Sequence, residues 1–160
     1  MASAVRANIK LANIRLFLTV FLGLLLSAPL RAETPEMPVA QLRVSSHLLT
    51  VEIAHTEVTR SRGLMFRQSM DENRGMLFIF SQPGRHGMWM MNTDIPLSVA
   101  FVDEKGFILN IADMTPRTAT AHRSAGVAKY AIETNLGWFA ARNVKPGDRI
   151  TGLEKLLRAE

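Results

Sequence analysis

Apolar and polar residues alternate in short runs along most of this chain, which is the pattern of β-strands that bury one face. In the run 48–54, Val51 and Ile53 are predicted to point into a core, while Glu52 points outward. Comparable runs predict further strands at 75–80, 86–91, 97–102, 107–111, 128–133 and 149–152.

Turn and cap residues separate these runs. Residues 103–106 (Asp-Glu-Lys-Gly) predict a hairpin between two strands, with the glycine late in the turn. Thr56 is placed to cap a short helix that continues to Gly63, and residues 135–143 predict a second helix of one or two turns. Many short strands with only two small helices indicate an all-β, mainly antiparallel fold, a small sandwich or barrel.

The first 32 residues have a different composition from the rest. Basic residues without any acidic one precede an uncharged run at 16–30, which contains small residues and a proline near its end. As a helix this run would span about 22 Å, short of the roughly 30 Å hydrocarbon core of a membrane. The order is typical of a secretory signal peptide cleaved after Ala32 or after Ala28, and an uncleaved anchor is the alternative.

We therefore expect an exported protein, periplasmic or extracellular, that meets a membrane only if the leader is retained. The expected organisation is a signal peptide at 1–32, a flexible segment at 33–43, one β-domain at 44–152 and a C-terminal tail at 153–160.

Removal of the leader on export changes the net charge of the protein. The whole chain has 19 basic and 14 acidic residues, and 4 of the basic residues lie in the leader, so the mature chain keeps 15 basic against 14 acidic ones. This near balance removes the main support for nucleic-acid binding. Because the chain has no cysteine, disulfides, thiolate metal sites and a cysteine nucleophile are excluded.

Six sequence blocks occur in a specific order and spacing. They are Val51-Glu-Ile-Ala-x-Thr, Arg60-Ser-Arg-Gly-Leu-Met-Phe-Arg67, Gly75-Met-Leu-Phe-x-Phe80, Trp89-Met-x-Asn-Thr93, Ile95-Pro-Leu97 and Ala128-Lys-Tyr-x-x-Glu133. Over about residues 44–152 the chain resembles the bacterial and archaeal family called domain of unknown function 192. The resemblance implies an often exported, small, jelly-roll-like β-fold, and it implies no activity or catalytic residue. Met91 stands where that family commonly has Lys, and Ser98 where Asp is common, so no chemistry is expected from those two positions.

The turn after the predicted strand 86–91 carries the strongest candidate binding site. It combines an aromatic face with amide, hydroxyl and carboxylate groups, which suits a small polar ligand such as a sugar. The residues are Trp89, Asn92, Thr93 and Asp94. In the structural alternative, the three polar side chains bond their own turn and Trp89 packs in the core.

Arginines surround the segment 63–66. Arg60, Arg62 and Arg67 could bind a carboxylate or phosphate, or they could form internal ion pairs with Glu52, Glu57 or Glu133. Arg67 follows an apolar pair and Glu133 ends an apolar strand, so we predict a structural ion pair between these two residues.

His86, Met88 and Met90 alternate, so a strand would present all three on one face. Thioether and imidazole ligands suit Cu(I), whereas methionines also commonly fill β-cores. No two of the four histidines have the spacing of a zinc site, and we predict no cofactor.

The function that these patterns favour is a non-catalytic binding or accessory role in the cell envelope, with a small polar ligand or a protein partner. One alternative is an envelope hydrolase that uses Asp94 or Glu133 with His86. The other is a Cu(I)-binding protein that uses His86, Met88 and Met90.

Overall fold

Nine strands, one α-helix and two 3₁₀ helices make up the part of the chain that the computed structural model describes, residues 37–156. The strands are β1 Val39–Val44, β2 His47–Ala54, β3 Arg74–Gly84, β4 Gly87–Met88, β5 Leu97–Val102, β6 Ile108–Met114, β7 His122–Arg123, β8 Ala128–Asn135 and β9 Ile150–Thr151. The helix α1 is Glu57–Arg62, and the 3₁₀ helices are Ala140–Arg142 and Leu153–Lys155.

Seven strands form the main sheet in the order β6-β5-β8-β3-β2-β1-β9, and β4 pairs with β7 in a separate ribbon. The pair β2–β3 is parallel, and the other pairs of the main sheet are antiparallel. A parallel pair needs a long connection, and α1 with the turns around it supplies this one. The predicted all-β class is confirmed, although the sheet is mixed.

Both faces of the main sheet are covered. Alternate residues of the central strands, such as Leu77 and Ile132, join Trp138 and Phe139 in one core cluster. The residues between them join Leu64 and other side chains in a second cluster on the opposite face. The alternation in the sequence therefore separates two core clusters, one on each face of the sheet, and neither face of the central strands is exposed to solvent.

The predicted cap of α1 is present. The Thr56 hydroxyl accepts a hydrogen bond from the Thr59 amide at 3.2 Å, and the Thr59 hydroxyl accepts one from the Thr56 amide at 3.0 Å. This reciprocal pair satisfies two amides that would otherwise lack partners at the start of the helix. Gly63 ends α1 with a φ of 50°. The helix therefore begins and ends where the sequence predicts, between β2 and β3 along the chain.

The strand predicted at 86–91 and the second predicted helix are shorter than expected. The strand predicted at 86–91 is reduced to Gly87–Met88, because the Met90 amide bonds the Thr118 carbonyl and Asn92 turns the chain with a φ of 58°. The helix predicted at 135–143 contains only one 3₁₀ turn, because Gly137 adopts a φ of 77° that a right-handed helix does not allow.

The signal peptide predicted at 1–32 lies outside the described residues, as do the first residues of the segment predicted at 33–43 and the end of the C-terminal tail. Between residues 37 and 156, no helix is both long and apolar enough to cross a membrane.

Candidate functional site

A pocket of about 200 Å³ lies on the face of the main sheet that contacts α1. The C-terminal half of α1 and the turn after it form one side, and β4 with Trp89 forms another. Side chains of β3 and β8 complete the lining. The lining residues are Arg60, Ser61, Arg62, Gly63, Leu64, Met65, Phe78, Phe80, Gly87, Met88, Trp89, Thr93 and Glu133.

Glu133 is the acidic residue of this pocket. It sits on β8 directly between Met76 of β3 and Val99 of β5, both of which are fully buried. Only 4% of Glu133 is exposed, and its carboxyl has no hydrogen-bond partner within residues 37–156. Burial raises the pKa of Glu133 to about 8. At neutral pH the pocket therefore contains a protonated carboxyl group whose donor and acceptor atoms are available to a ligand.

The prediction that Arg67 forms an ion pair with Glu133 is wrong, because the partner of Arg67 is Glu52. Both guanidinium nitrogens of Arg67 donate to the two carboxylate oxygens of Glu52 at 2.6 Å. Glu52 pairs with Met76 across β2 and β3, and Met76 pairs with Glu133, so the two glutamates share one face two strands apart. Arg67 takes the nearer, more exposed carboxylate, and its hydrogen bonds lower the pKa of Glu52. Glu133 is left without a counter-ion from Arg67.

Two arginines of α1 line the pocket. The Arg60 guanidinium donates to the carbonyl oxygen of Ile79 at 3.2 Å and also to that of His55, which fixes its side chain against β3. Arg62 lies two residues further along α1, is exposed and lines the same pocket.

Trp89 and Thr93, two of the four residues predicted to bind a ligand, line this pocket. Trp89 is 54% exposed, so it packs at the rim and is not a core residue. Thr93 is buried, and its amide donates to the Met90 carbonyl at 3.1 Å. The aromatic residue and the hydroxyl-bearing residue of the predicted site therefore line the same pocket.

Asn92 and Asp94 line a separate surface depression with Phe66, Met91 and Arg117. Asp94 accepts hydrogen bonds from Arg117 Nε and Gln68 Nε2, both at 2.8 Å. The Arg117 hydrogen bond, with that of Gln68, lowers the pKa of Asp94. The structure therefore divides the predicted four-residue site between two places, and Asp94 already has two partners.

The Cu(I) candidates do not form a common ligand set. Met90 is fully buried in the core, whereas His86 stacks on Phe80 with ring centroids 3.7 Å apart. The Nε2 atom of His86 lies 3.0 Å from the Gln82 carbonyl oxygen, and Met88 lines the pocket. The predicted shared face requires a continuous strand, and that strand ends at Met88. Among residues 37–156, no three His, Cys, Asp or Glu side chains are grouped to hold a metal ion.

The acid–base pairs of the predicted hydrolase are not assembled either. Asp94 is held by Arg117 and Gln68, and neither Asp94 nor Glu133 is hydrogen-bonded to His86 in the described part of the chain.

Sequence reasoning missed most of the pocket wall. Leu64, Phe78 and Phe80 have the composition of any β-core, and nothing in their spacing marks a cavity. The signal that was present is the position of Glu133, which follows Ala131 at a spacing of two and so points into a core.

The fold and the pocket define a small all-β domain with a partly enclosed cavity beside Glu133. The profile of the family DUF192, described as "Uncharacterized ACR", matches residues 40–152. The chain belongs to this family, domain of unknown function 192, as its sequence blocks predict.

Two solved structures are similar over nearly their whole length. One is a Sinorhizobium meliloti 1021 protein described as a putative transcription regulator. It is 33% identical in sequence, with a TM-score of 0.71. The match covers 74% of this chain and 96% of that one. The other, of unknown function, is from Novosphingobium aromaticivorans DSM 12444; it is 31% identical, with a TM-score of 0.69, and the match covers 78% of this chain and 93% of that one. No curated protein matches the chain.

Proposed function

We propose that this protein is an exported, non-catalytic domain that binds a small molecule in the pocket above Glu133. The observation that carries the proposal is a buried carboxyl group that lines a cavity and has no hydrogen-bond partner among the described residues. A carboxyl group at the wall of a cavity can exchange hydrogen bonds with a bound molecule.

The rest of the lining supports a binding role. Phe78, Phe80 and Met88 supply apolar walls, and Trp89 presents an exposed ring at the rim. Apolar walls with a few placed polar groups are the usual composition of small-ligand sites. Acid–base catalysis would need a second proton-exchanging group near Glu133, and the other polar lining residues are arginines, Ser61 and Thr93. The geometry therefore favours binding without turnover.

A fragment screen followed by chemical-shift mapping tests the proposal. We expect hits that perturb Trp89 and the segment around Glu133, and we expect Trp89→Ala to weaken them about three- to tenfold through the lost ring contact. Because Trp89 is half-exposed, the same change should lower the free energy of unfolding by less than about 1 kcal/mol.

Phe107→Ala is the matched control, since Phe107 is an exposed aromatic residue outside this pocket. It should leave the affinity for the hits unchanged. A screen without hits, or hits that perturb neither Trp89 nor Glu133, would show that this pocket is not a binding site.

Export rests on the composition of residues 1–32. We expect the mature protein to begin at Glu33 and to be recovered from the periplasm or the medium, because the leader has the order of a cleaved signal peptide. Intact-mass measurement of fractionated cells checks this. An intact chain from Met1 to Glu160 in the cytosolic fraction would exclude export.

A further inference from the structure

The carboxyl group of Glu133 restricts which ligands the pocket accepts. Given the binding function proposed above, we infer that the pocket selects an uncharged small molecule that carries an amide group on an apolar body. The N–H and C=O groups of this amide form a pair of hydrogen bonds with the carboxyl group of Glu133.

The oxygens of Glu133 are reached from the cavity. Between residues 37 and 156, every side-chain nitrogen or oxygen that is fully enclosed has a hydrogen-bond partner. The Glu133 oxygens have no partner there, so they are not fully enclosed, although only 4% of the residue is exposed. Met76 and Val99 flank Glu133 on the neighbouring strands, and neither has a side chain that forms strong hydrogen bonds. A molecule inside the cavity is therefore placed to pair with this carboxyl group.

The charged side chains of α1 and β2 have other contacts. Arg60 and Arg62 of α1 line the pocket, but Arg60 donates to two backbone carbonyl oxygens and Arg62 is exposed to solvent. Glu57 is exposed at the other end of α1 and does not line the pocket. On β2, Glu52 is paired with Arg67. No group on these two elements pairs with Glu133.

The other elements around Glu133 bring no charge to it. Among the described residues, no charged side chain lines the pocket from β3, β4, β5 or the segment 89–93. His86 stacks on Phe80 and does not line the pocket. On β8 itself, Lys129 donates to the carbonyl oxygen of Phe80 at 2.7 Å. Burial is thus what raises the pKa of Glu133 to about 8, and its carboxyl group is uncharged at neutral pH.

An uncharged carboxyl group has one donor and one acceptor side by side. A primary amide or a lactam has the complementary donor and acceptor, so two hydrogen bonds form together. A carboxylate ligand has acceptors only, so one of its oxygens would face the carbonyl oxygen of Glu133.

An ammonium ligand fits less well than an amide. It requires an ionised Glu133, and at pH 7 this lowers its affinity about tenfold, because the pKa of Glu133 is about 8. Its remaining N–H groups also need acceptors, and the other charged lining residues are arginines, which only donate. Hydrogen-bond complementarity therefore favours the uncharged amide over both ions.

The volume and the walls limit the size of the ligand. About 200 Å³ is less than the roughly 300–1,000 Å³ of sites for drug-sized molecules. The space suits one ring or a short branched chain next to the amide group. The apolar walls that would contact this body are Leu64, Phe78, Phe80 and Met88, with Trp89 at the rim.

The paired hydrogen bonds depend on the proton of Glu133. The pKa of Glu133 is about 8, so below that pH the O–H group is already present and the amide binds without exchange of a proton with solvent. Above that pH Glu133 is ionised, and both of its oxygens are acceptors, so the pair forms only if binding takes up a proton. The affinity for the amide is therefore nearly constant below about pH 8 and falls above it by up to about tenfold per pH unit.

Calorimetric titration of the full chain with four probes of nearly the same shape, between about pH 7 and about pH 10, tests the inference. The probes are benzamide, acetophenone, which lacks the N–H donor, benzoate, which is an anion, and benzamidine, which is a cation. At pH 7 benzamide is expected to bind most tightly, and acetophenone about three- to tenfold more weakly through the loss of one hydrogen bond. The affinity for benzamide should decrease only above about pH 8.

Two substitutions of Glu133 separate hydrogen bonding from shape. Glu133→Gln should bind benzamide within about threefold of the parent and without the pH dependence, because a side-chain amide also has one donor and one acceptor side by side. Glu133→Leu should weaken benzamide about tenfold or more and should bind benzamide and acetophenone equally, because both hydrogen bonds are lost.

Glu104→Gln is the matched control, since Glu104 is exposed and lies outside this pocket; it should reproduce the parent curves. Tighter binding of benzamidine or benzoate than of benzamide at pH 7 would overturn the amide selection while leaving the pocket a binding site. Equal affinities of the parent for benzamide and acetophenone would do the same. Absence of binding by all four probes would also overturn the selection, and the fragment screen then decides separately whether the pocket binds anything.

Discussion

Replacing Glu133 with glutamine is expected to stabilise the protein at alkaline pH relative to the parent chain, by roughly 3–5 kcal/mol near pH 9. The pKa of this carboxyl rises from 4.5 in the unfolded chain to about 8 in the folded one. Between these values the folded state holds a proton that the unfolded state has released. The free energy of unfolding of the parent therefore falls as the pH rises through this window, whereas glutamine does not titrate.

Urea unfolding of both chains at several pH values measures this difference. The advantage of Glu133→Gln should be largest above pH 8 and should disappear as the pH falls toward 4.5, where both states of the parent are protonated. Glu104→Gln, at an exposed acidic position, should follow the parent at every pH. Parallel curves for Glu133→Gln and the parent would mean that Glu133 is ionised in the folded protein.

Replacing Phe101 with alanine is expected to lower the free energy of unfolding by about 3–5 kcal/mol, because Phe101 is fully buried. Phe78, Ala131 and Phe101 stand side by side on β3, β8 and β5, and their side chains share one face of the sheet. The small Ala131 between two large rings cannot fill the space that a lost ring would leave. The cavity would persist, and its full cost would be observed.

Phe66→Ala is the control with the same chemical change. Phe66 is 66% exposed, so its loss should alter the free energy of unfolding by no more than about 0.5 kcal/mol. Thermal or urea unfolding of the two variants measures the contrast. Equal effects would show that the ring of Phe101 is not enclosed on this face of the sheet.

Local patterns in the sequence determined most of the secondary structure. The alternation at 48–54 predicts β2, and Thr56 predicts the start of α1, because both depend on residues within a few positions of one another. The hairpin of β5 and β6 follows in the same way from the turn at 103–106. The membership in the domain of unknown function 192 family was also predicted from sequence blocks and is confirmed.

Contacts between distant segments were decided by the tertiary structure. The residues next to Arg67 in the sequence do not show whether it pairs with Glu52 or with Glu133. In the structure the turn after α1 lies above β2, and there Arg67 pairs with Glu52. Trp89 and Asp94 are five residues apart, yet the left-handed turn at Asn92 directs them to different cavities.

The pocket arises from the parallel pairing of β2 with β3. That pairing forces the connection through α1 across one face of the sheet, above a glutamate that comes from a strand much later in the chain. The alternation along β8 places Glu133 on the same face as Ala131, and the sequence predicted a counter-ion for it. Only the tertiary structure decided that Glu133 would face a cavity instead of a counter-ion, because strand order brings these segments together and strand order has no local signal.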